Sequence, residues 1–164
     1  RSIQAISLAL FLILLYIFFR FDFNYAVGSV AALIHDILIT LGVFSILNYE
    51  INLTVVAAFL TLVGYSLNDT IVIYDRIREN ALNFKRKDFD LAINKSLNQT
   101  LSRTIITSLT TLFVLISLYL FGSEVTKLFS FALIFGVFIG TYSSIFIASP
   151  VLSFLANRQY IKED

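Results

Sequence analysis

The side chains best suited to chemistry in this sequence are a few carboxylates and one arginine set among apolar residues. Asp69 stands in Gly64-Tyr65-Ser66-Leu67-Asn68-Asp69-Thr70-Ile71-Val72-Ile73-Tyr74-Asp75-Arg76-Ile77-Arg78-Glu79-Asn80. The run Leu53 to Val63 before it is almost wholly apolar, and Ile71 to Tyr74 follow before charge resumes at Asp75. A carboxylate inside a segment long enough to cross a bilayer costs about 2.5–3.5 kcal/mol on insertion scales, so it is normally retained for a purpose. His35 and Asp36 lie in another apolar run, and Arg103 opens a third, followed by Thr104, Thr107, Ser108, Thr110 and Thr111.

The chemistry open to these groups is proton binding. Burial favours the neutral form of a carboxyl group and a nearby guanidinium favours the ionised one. Balanced, the two effects would bring proton exchange at Asp69 within reach of physiological pH, while Arg103 stays charged throughout. A proton on Asp69 would release Arg103 and change which helix face is stable, with the Thr and Ser hydroxyls carrying protons or ordering water. The available drive is about 2.3 kcal/mol per charge per 100 mV and about 1.4 kcal/mol per pH unit. The same residues also read as a static ion pair that fixes helix packing, since structural pairs perturb proton equilibria too. Asp36, His35, Asn68 and Thr107 are accessory polar candidates. A lone His near an interface reads more simply as a hydrogen-bonded anchor than as a proton carrier. Asp75, Arg76, Arg78 and Glu79 read as interfacial charges that stop a span.

The elements that must position these groups are membrane helices. The sequence is 58% hydrophobic, above the usual 45–50% or so, and its mean hydropathy is +0.85. A soluble domain of 164 residues could not hide that much apolar surface. Five apolar stretches approach the ~20 residues that span a bilayer: Ile3 to Phe19, Tyr25 to Leu47, Leu53 to Tyr74, Thr104 to Phe121, and Leu128 to Leu155. The expected fold is all-α, a polytopic bundle of five spans. Tyr16, Tyr25, Tyr49, Tyr74, Tyr119 and Tyr160 fall near span ends, where an aromatic belt belongs. At 1.5 Å rise per residue, Asp36 and Asp69 are expected in one layer, within reach of an extended Arg103 side chain.

Basic residues concentrate in alternate connections. Arg20 lies between spans one and two. Arg76, Arg78, Lys85, Arg86, Lys87, Lys95 and Arg103 lie between three and four, and Arg158 and Lys162 follow the fifth. The other connections offer Glu50, and Glu124 with Lys127. The positive-inside rule makes the basic side cytoplasmic, with the amino terminus outside and the carboxyl terminus inside. The chain contains no Met and opens on Arg1 without a signal-peptide pattern, which reads as the downstream part of a longer protein. In the connection from about 78 to 102, Phe89, Ile93, Leu97 and Leu101 recur every four residues, predicting an amphipathic helix at the interface that leads into the fourth span, with a solvated linker as the alternative. Gly136, Gly140, Ser144 and Ala148, and Ala57, Thr61, Gly64 and Asn68, are small or polar stripes expected where helices meet.

Several classes of function are excluded. With no Cys, there is no disulfide, thiolate metal site or cysteine nucleophile. No GxxxxGK or GxGxxG loop occurs, a single His cannot make HExxH, and no GxSxG elbow is present. Neither an enzyme nor a cofactor or metal is expected, and no basic tract interleaved with aromatics suggests nucleic acid.

Gly64 to Thr70 followed by Asp75 to Asn80 resembles the signature of the SecF family, the membrane subunit of the bacterial SecDF protein-export machinery. His35-Asp36-Ile37-Leu38-Ile39-Thr40-Leu41-Gly42 and Asn98-Gln99-Thr100-Leu101-Ser102-Arg103-Thr104 extend the likeness over nearly the whole chain. The resemblance implies half of a resistance–nodulation–division type transporter core, here without the family's first helix and periplasmic domain. It implies SecD as the pseudo-symmetric other half, in the inner membrane, with SecYEG, YajC and YidC as neighbours and an unfolded preprotein as substrate. Proton flow would help draw the preprotein across, with Asp69 as the membrane carboxylate and Arg103 as its partner. A proton-coupled exporter of small molecules or lipids from the same superfamily, and a passive subunit that stabilises the translocon, are the alternatives.

Overall fold

The structure is a computed structural model that describes the backbone of residues 2–85 and 88–163, and side chains at 8, 11–13, 15–85 and 88–158. Arg86 and Lys87, and the side chains of Tyr160 and Lys162, lie outside the described residues. All regular structure among the described residues is helical: α1 (Ser2–Arg20), α2 (Phe23–Ile46), α3 (Leu53–Ala81), α4 (Phe89–Phe121), α5 (Glu124–Ser143), a π-helical turn (Ser144–Ala148) and α6 (Ser149–Glu163). Among the described residues, four helical columns are long and apolar enough to cross a membrane: Phe23–Ile46, Leu53–Ala81, Phe89–Phe121 and Glu124–Arg158. α1 is a further apolar helix of 19 residues, whose described apolar part is Phe11–Arg20. The chain is thus an all-α, multi-pass membrane bundle.

Three helix boundaries fall elsewhere than hydropathy alone suggests. α3 runs to Ala81, so Asp75 to Glu79 do not end it; Arg and Glu are good helix formers and only change the solvent. α4 is one unbroken helix of 33 residues, so the amphipathic segment and the fourth span are the same rod. Its first turns bury Phe89, Ala92, Ile93 and Ser96 against the rest of the bundle. The last column is interrupted by the π turn. Pro150, the chain's one proline, lacks the N–H that residue 146 would accept, and its ring crowds that carbonyl. The widened turn lets the Ser149 hydroxyl donate to Ser144 O five residues back, at 3.2 Å.

Asn52 starts α3 by accepting from Val55 N at 3.0 Å, a side-chain cap. Asn48, in the preceding connection, takes φ 53°, a left-handed conformation that Asn tolerates. α3 and α5 make the most extensive helix contact, with α2 and α4 flanking them and α1 packed mainly on α2.

The core has two apolar halves. One gathers Ile17, Phe21, Tyr25, Tyr74, Ile77 and Leu152 at the end where the basic residues collect. The other gathers Phe44, Val55, Leu62, Leu115, Leu133 and Val137 at the opposite end. Between them lies a layer of buried polar side chains, including Asp36, Ser66, Asp69, Thr70, Ser108, Ser143 and Ser144. Glycines let the backbones close over this layer. A Cβ at Gly140 would come 3.2 Å from Ser66 Cβ, and one at Gly28 would strike the Tyr74 hydroxyl.

Candidate proton site between helices α3 and α4

α3 carries the polar layer on two faces. On one, Ser66, Thr70 and Tyr74 recur every four residues and meet α2, α5 and the π turn. Ser66 Oγ donates to Asp36 Oδ2 at 2.6 Å. The Thr70 and Ser144 hydroxyls lie 2.9 Å apart, and Tyr74 Oη donates to Ala148 O at 2.9 Å. On the other face, α3 runs antiparallel to α4. Tyr65 Oη donates to Thr111 Oγ1 at 3.4 Å, and Asn80 Nδ2 donates to Ser96 Oγ at 2.8 Å. That register sets Asp69 level with Thr107, one turn or about 6 Å from Arg103 along α4.

Asp69 is 4% exposed, and its Oδ2 has no hydrogen-bond partner. Asp36, in contrast, is saturated. Its Oδ2 accepts from Ser66 and from Ser143, the latter at 2.8 Å, and its Oδ1 lies 3.1 Å from His35 Nδ1. A buried oxygen without a partner costs about 1–3 kcal/mol, and more if charged. Two events relieve that cost at Asp69: a proton, or the approach of a cation. The only other buried side-chain polar atom without a partner, among the described residues, is Ser130 Oγ near the far end of α5.

The cation at hand is Arg103. It is exposed, makes no ion pair within 4.0 Å among the described residues, and still acts on Asp69 electrostatically. The expected contact pair is therefore not formed here. Arg103 instead borders a cleft of about 260 Å³ with Val72, Asp75, Arg76, Glu79, Gln99 and Thr100. Both carboxylates of that cleft pair with other arginines: Asp75 holds Arg20 at 2.7 Å and Glu79 holds Arg76 at 2.6 Å. Arg103 is left as the uncommitted charge beside an unsatisfied acid.

The accessory candidates separate. Asp36 is on the α2–α3–α5 side, meeting α3 at Ser66, three residues before Asp69. His35 is partly exposed, with its ring 6.4 Å from that of Tyr142. Thr107 donates back to Arg103 O at 2.9 Å. Asn68 is exposed, in a shallow hollow with Leu12, Ile13, Tyr16 and Gly64. The stripe Ala57, Thr61, Gly64 and Asn68 is exposed throughout, and a Cβ at Gly64 would meet nothing within 4 Å. It forms no tight seam among the described residues, unlike the α5 stripe, where Gly136 and Gly140 face Leu62 and Ser66 of α3. Reading the sequence missed the hydroxyls Ser66 and Ser143. Only the four-residue recurrence of Ser66, Thr70 and Tyr74 hinted at a polar face.

The family "Protein export membrane protein SecD/SecF, C-terminal" matches residues 1–158. The protein translocase subunit SecF of Rhodothermus marinus is 56% identical over 163 residues, covering 96% of this chain and 53% of its own length. That of Cereibacter sphaeroides is 49% identical over 154 residues, covering 94% and 48%. A crystal structure of SecDF from a Thermus species, described as a translocon-associated membrane protein, aligns with TM-score 0.89 at 44% identity, covering 95% of this chain and 22% of that one. SecDF in a super-membrane-facing form aligns with TM-score 0.85 at 45% identity, covering 93% and 21%. The chain spans about half the length of the curated relatives described here. Sequence signature, helix arrangement and likeness along nearly its whole length agree that the chain belongs to the SecD/SecF C-terminal family of protein-export membrane proteins.

Proposed function

We propose that this bundle is the proton-responsive membrane part of a SecF-type translocase subunit, which uses the proton motive force to assist preprotein movement across a bacterial cytoplasmic membrane. The observation that carries this reading is the buried, unpartnered Oδ2 of Asp69 beside an Arg103 that has no ion pair of its own. Such an acid can be satisfied alternately by H⁺ and by a guanidinium, and the two states favour different positions of α4 against α3. The basic end of the bundle faces the cytoplasm, so protons enter from the other side down their gradient. Asp69 and Arg103 form the relay, and no metal or cofactor takes part.

The partner in this reading is a SecD-type second half. Exposed Asn68, Thr61 and Thr110, with Arg103 at the same flank of α3 and α4, form a polar seam unsuited to acyl chains. A second protein half would cover it. SecYEG is the channel that the pair assists, with YajC and YidC as further neighbours in the membrane.

The test is preprotein export into inverted vesicles or proteoliposomes holding the full-length protein with its partner, with and without a proton gradient. Asp69→Asn should abolish the gradient-dependent part, a loss of tenfold or more, with assembly intact. Export by Asp69→Asn equal to wild type at every gradient would refute the role and favour a passive scaffold. Gradient-driven efflux of a small molecule or lipid without SecYEG would favour an exporter instead.

A further inference from the structure

Asp36 is the buried ionisable group that the relay leaves unused. It is 1% exposed and joins three helices: its own α2, α3 through Ser66 Oγ at 2.6 Å, and α5 through Ser143 Oγ at 2.8 Å. Both hydroxyls donate to the same oxygen, while Oδ1 faces His35 Nδ1 at 3.1 Å. One carboxylate oxygen thus accepts from two helices at once. An Asn in its place has one accepting oxygen, neutral and weaker, and turned the other way would aim its NH2 at the two hydroxyls.

We propose that Asp36 is a positioning residue for the proton site: by holding Ser66 it fixes the rotation of α3 about its own axis, so that Asp69 is turned toward α4. This inference rests on the proton reading of Asp69. Ser66 and Asp69 are three residues apart and so stand about 60° from each other around the helix. Any rotation that swings Asp69 away from α4 pulls Ser66 off Asp36. The Thr70–Ser144 and Tyr74–Ala148 contacts continue the same restraint toward the basic end. The close fit of Gly140 is part of the device, because a Cβ there would come 3.6 Å from Asp36 Oδ2 and 3.2 Å from Ser66 Cβ.

The groups that bear on a pH response at Asp36 are few. His35 on α2 contacts it, α3 and α5 meet it with the hydroxyls of Ser66 and Ser143, and Tyr142 of α5 faces the His35 ring. The charged group that faces Asp69 is Arg103 of α4.

The experiment measures gradient-dependent export against pH for the full-length protein reconstituted with its partner, in Asp36→Asn, Ser66→Ala, Ser143→Ala and Asp69→Asn. Ser66→Ala cuts the α2–α3 link. It should lower the rate about threefold, the factor that a typical interhelical hydrogen bond in a membrane bundle carries, and displace the midpoint of the pH profile. Asp36→Asn should do the same or more. Ser143→Ala cuts the α2–α5 link and a bond back to Gly140 O within α5 but leaves Ser66 in place; it should lower thermal stability while keeping the wild-type pH midpoint. Wild-type midpoints in Ser66→Ala and Asp36→Asn, beside a flat Asp69→Asn profile, would overturn the positioning role and leave the relay standing. An unaltered profile in Asp69→Asn would overturn both. If Asp36→Asn fails to assemble, Ser66→Ala decides alone.

Discussion

Asp36 and Asp69 are the same residue type in the same buried layer, and their surroundings differ sharply. Asp36 has a polar partner at each oxygen and is held between three helices; Asp69 keeps an oxygen without one. An acid that is fully hydrogen-bonded loses by changing state, whereas an unsatisfied one gains. It follows that Asp69→Asn costs the fold nothing, since an amide at that depth is cheaper than an ionised carboxylate. Thermal unfolding of the purified protein in detergent should show a midpoint equal to or above wild type. A clear drop would mean that the carboxylate holds the bundle together. From the sequence, Asp69 and Arg103 stand out because charge among apolar residues is conspicuous. Ser66 and Ser143 do not, because serines inside membrane helices are common and most simply bond back to their own backbone.

At the scale of the elements, α3 works as the axle of the bundle. One face is bolted by Ser66, Thr70 and Tyr74 to α2, α5 and the π turn, and the other is tied to α4 by Tyr65–Thr111, Arg76–Gln99, Asn80–Gln99, Asn80–Ser96 and a Ser96 bond to Arg76 O. α4 is also tied to α5, where the Ser108 and Thr141 hydroxyls lie 2.6 Å apart. The π turn belongs to the bolted side. Its Ala148 carbonyl is buried and accepts from Tyr74 Oη. Tyr74→Phe leaves that carbonyl without its side-chain donor and should destabilise the bundle by about 1–3 kcal/mol. Hydrogen exchange should quicken at residues 144–150 before it does elsewhere. Unchanged exchange there would show that the proline alone sets the turn.

For the molecule as a whole, the contrast is between sealed and open flanks. The α2–α3–α5 interior is close-fitted around glycines, while the outer flank of α3 and α4 presents Thr61, Gly64, Asn68, Arg103 and Thr110 to the outside. Cysteine at position 68, in Asn68→Cys, should react readily with a bulky maleimide in the purified subunit and become protected when the partner half is co-expressed. Equal labelling in both preparations would remove this flank as the covered surface. At the basic end, the Arg20–Asp75 pair joins α1 to α3, but both side chains are 39% exposed, so it adds at most about 1 kcal/mol.

Hydrophobic runs of membrane length fixed the all-helical, multi-pass class and made Asp69 conspicuous, because lipid permits few other backbones and makes every buried charge visible. The ordered set from Gly64 to Asn80 was enough to suggest the family. Tertiary structure alone decided which helix face each polar group occupies. It saturated Asp36, left Asp69 open, kept Arg103 out of direct contact, and turned the Ala57 to Asn68 stripe outward. Hydropathy reports depth along a helix axis; rotation about that axis depends on which side chains fit between neighbours, and those neighbours are distant in sequence.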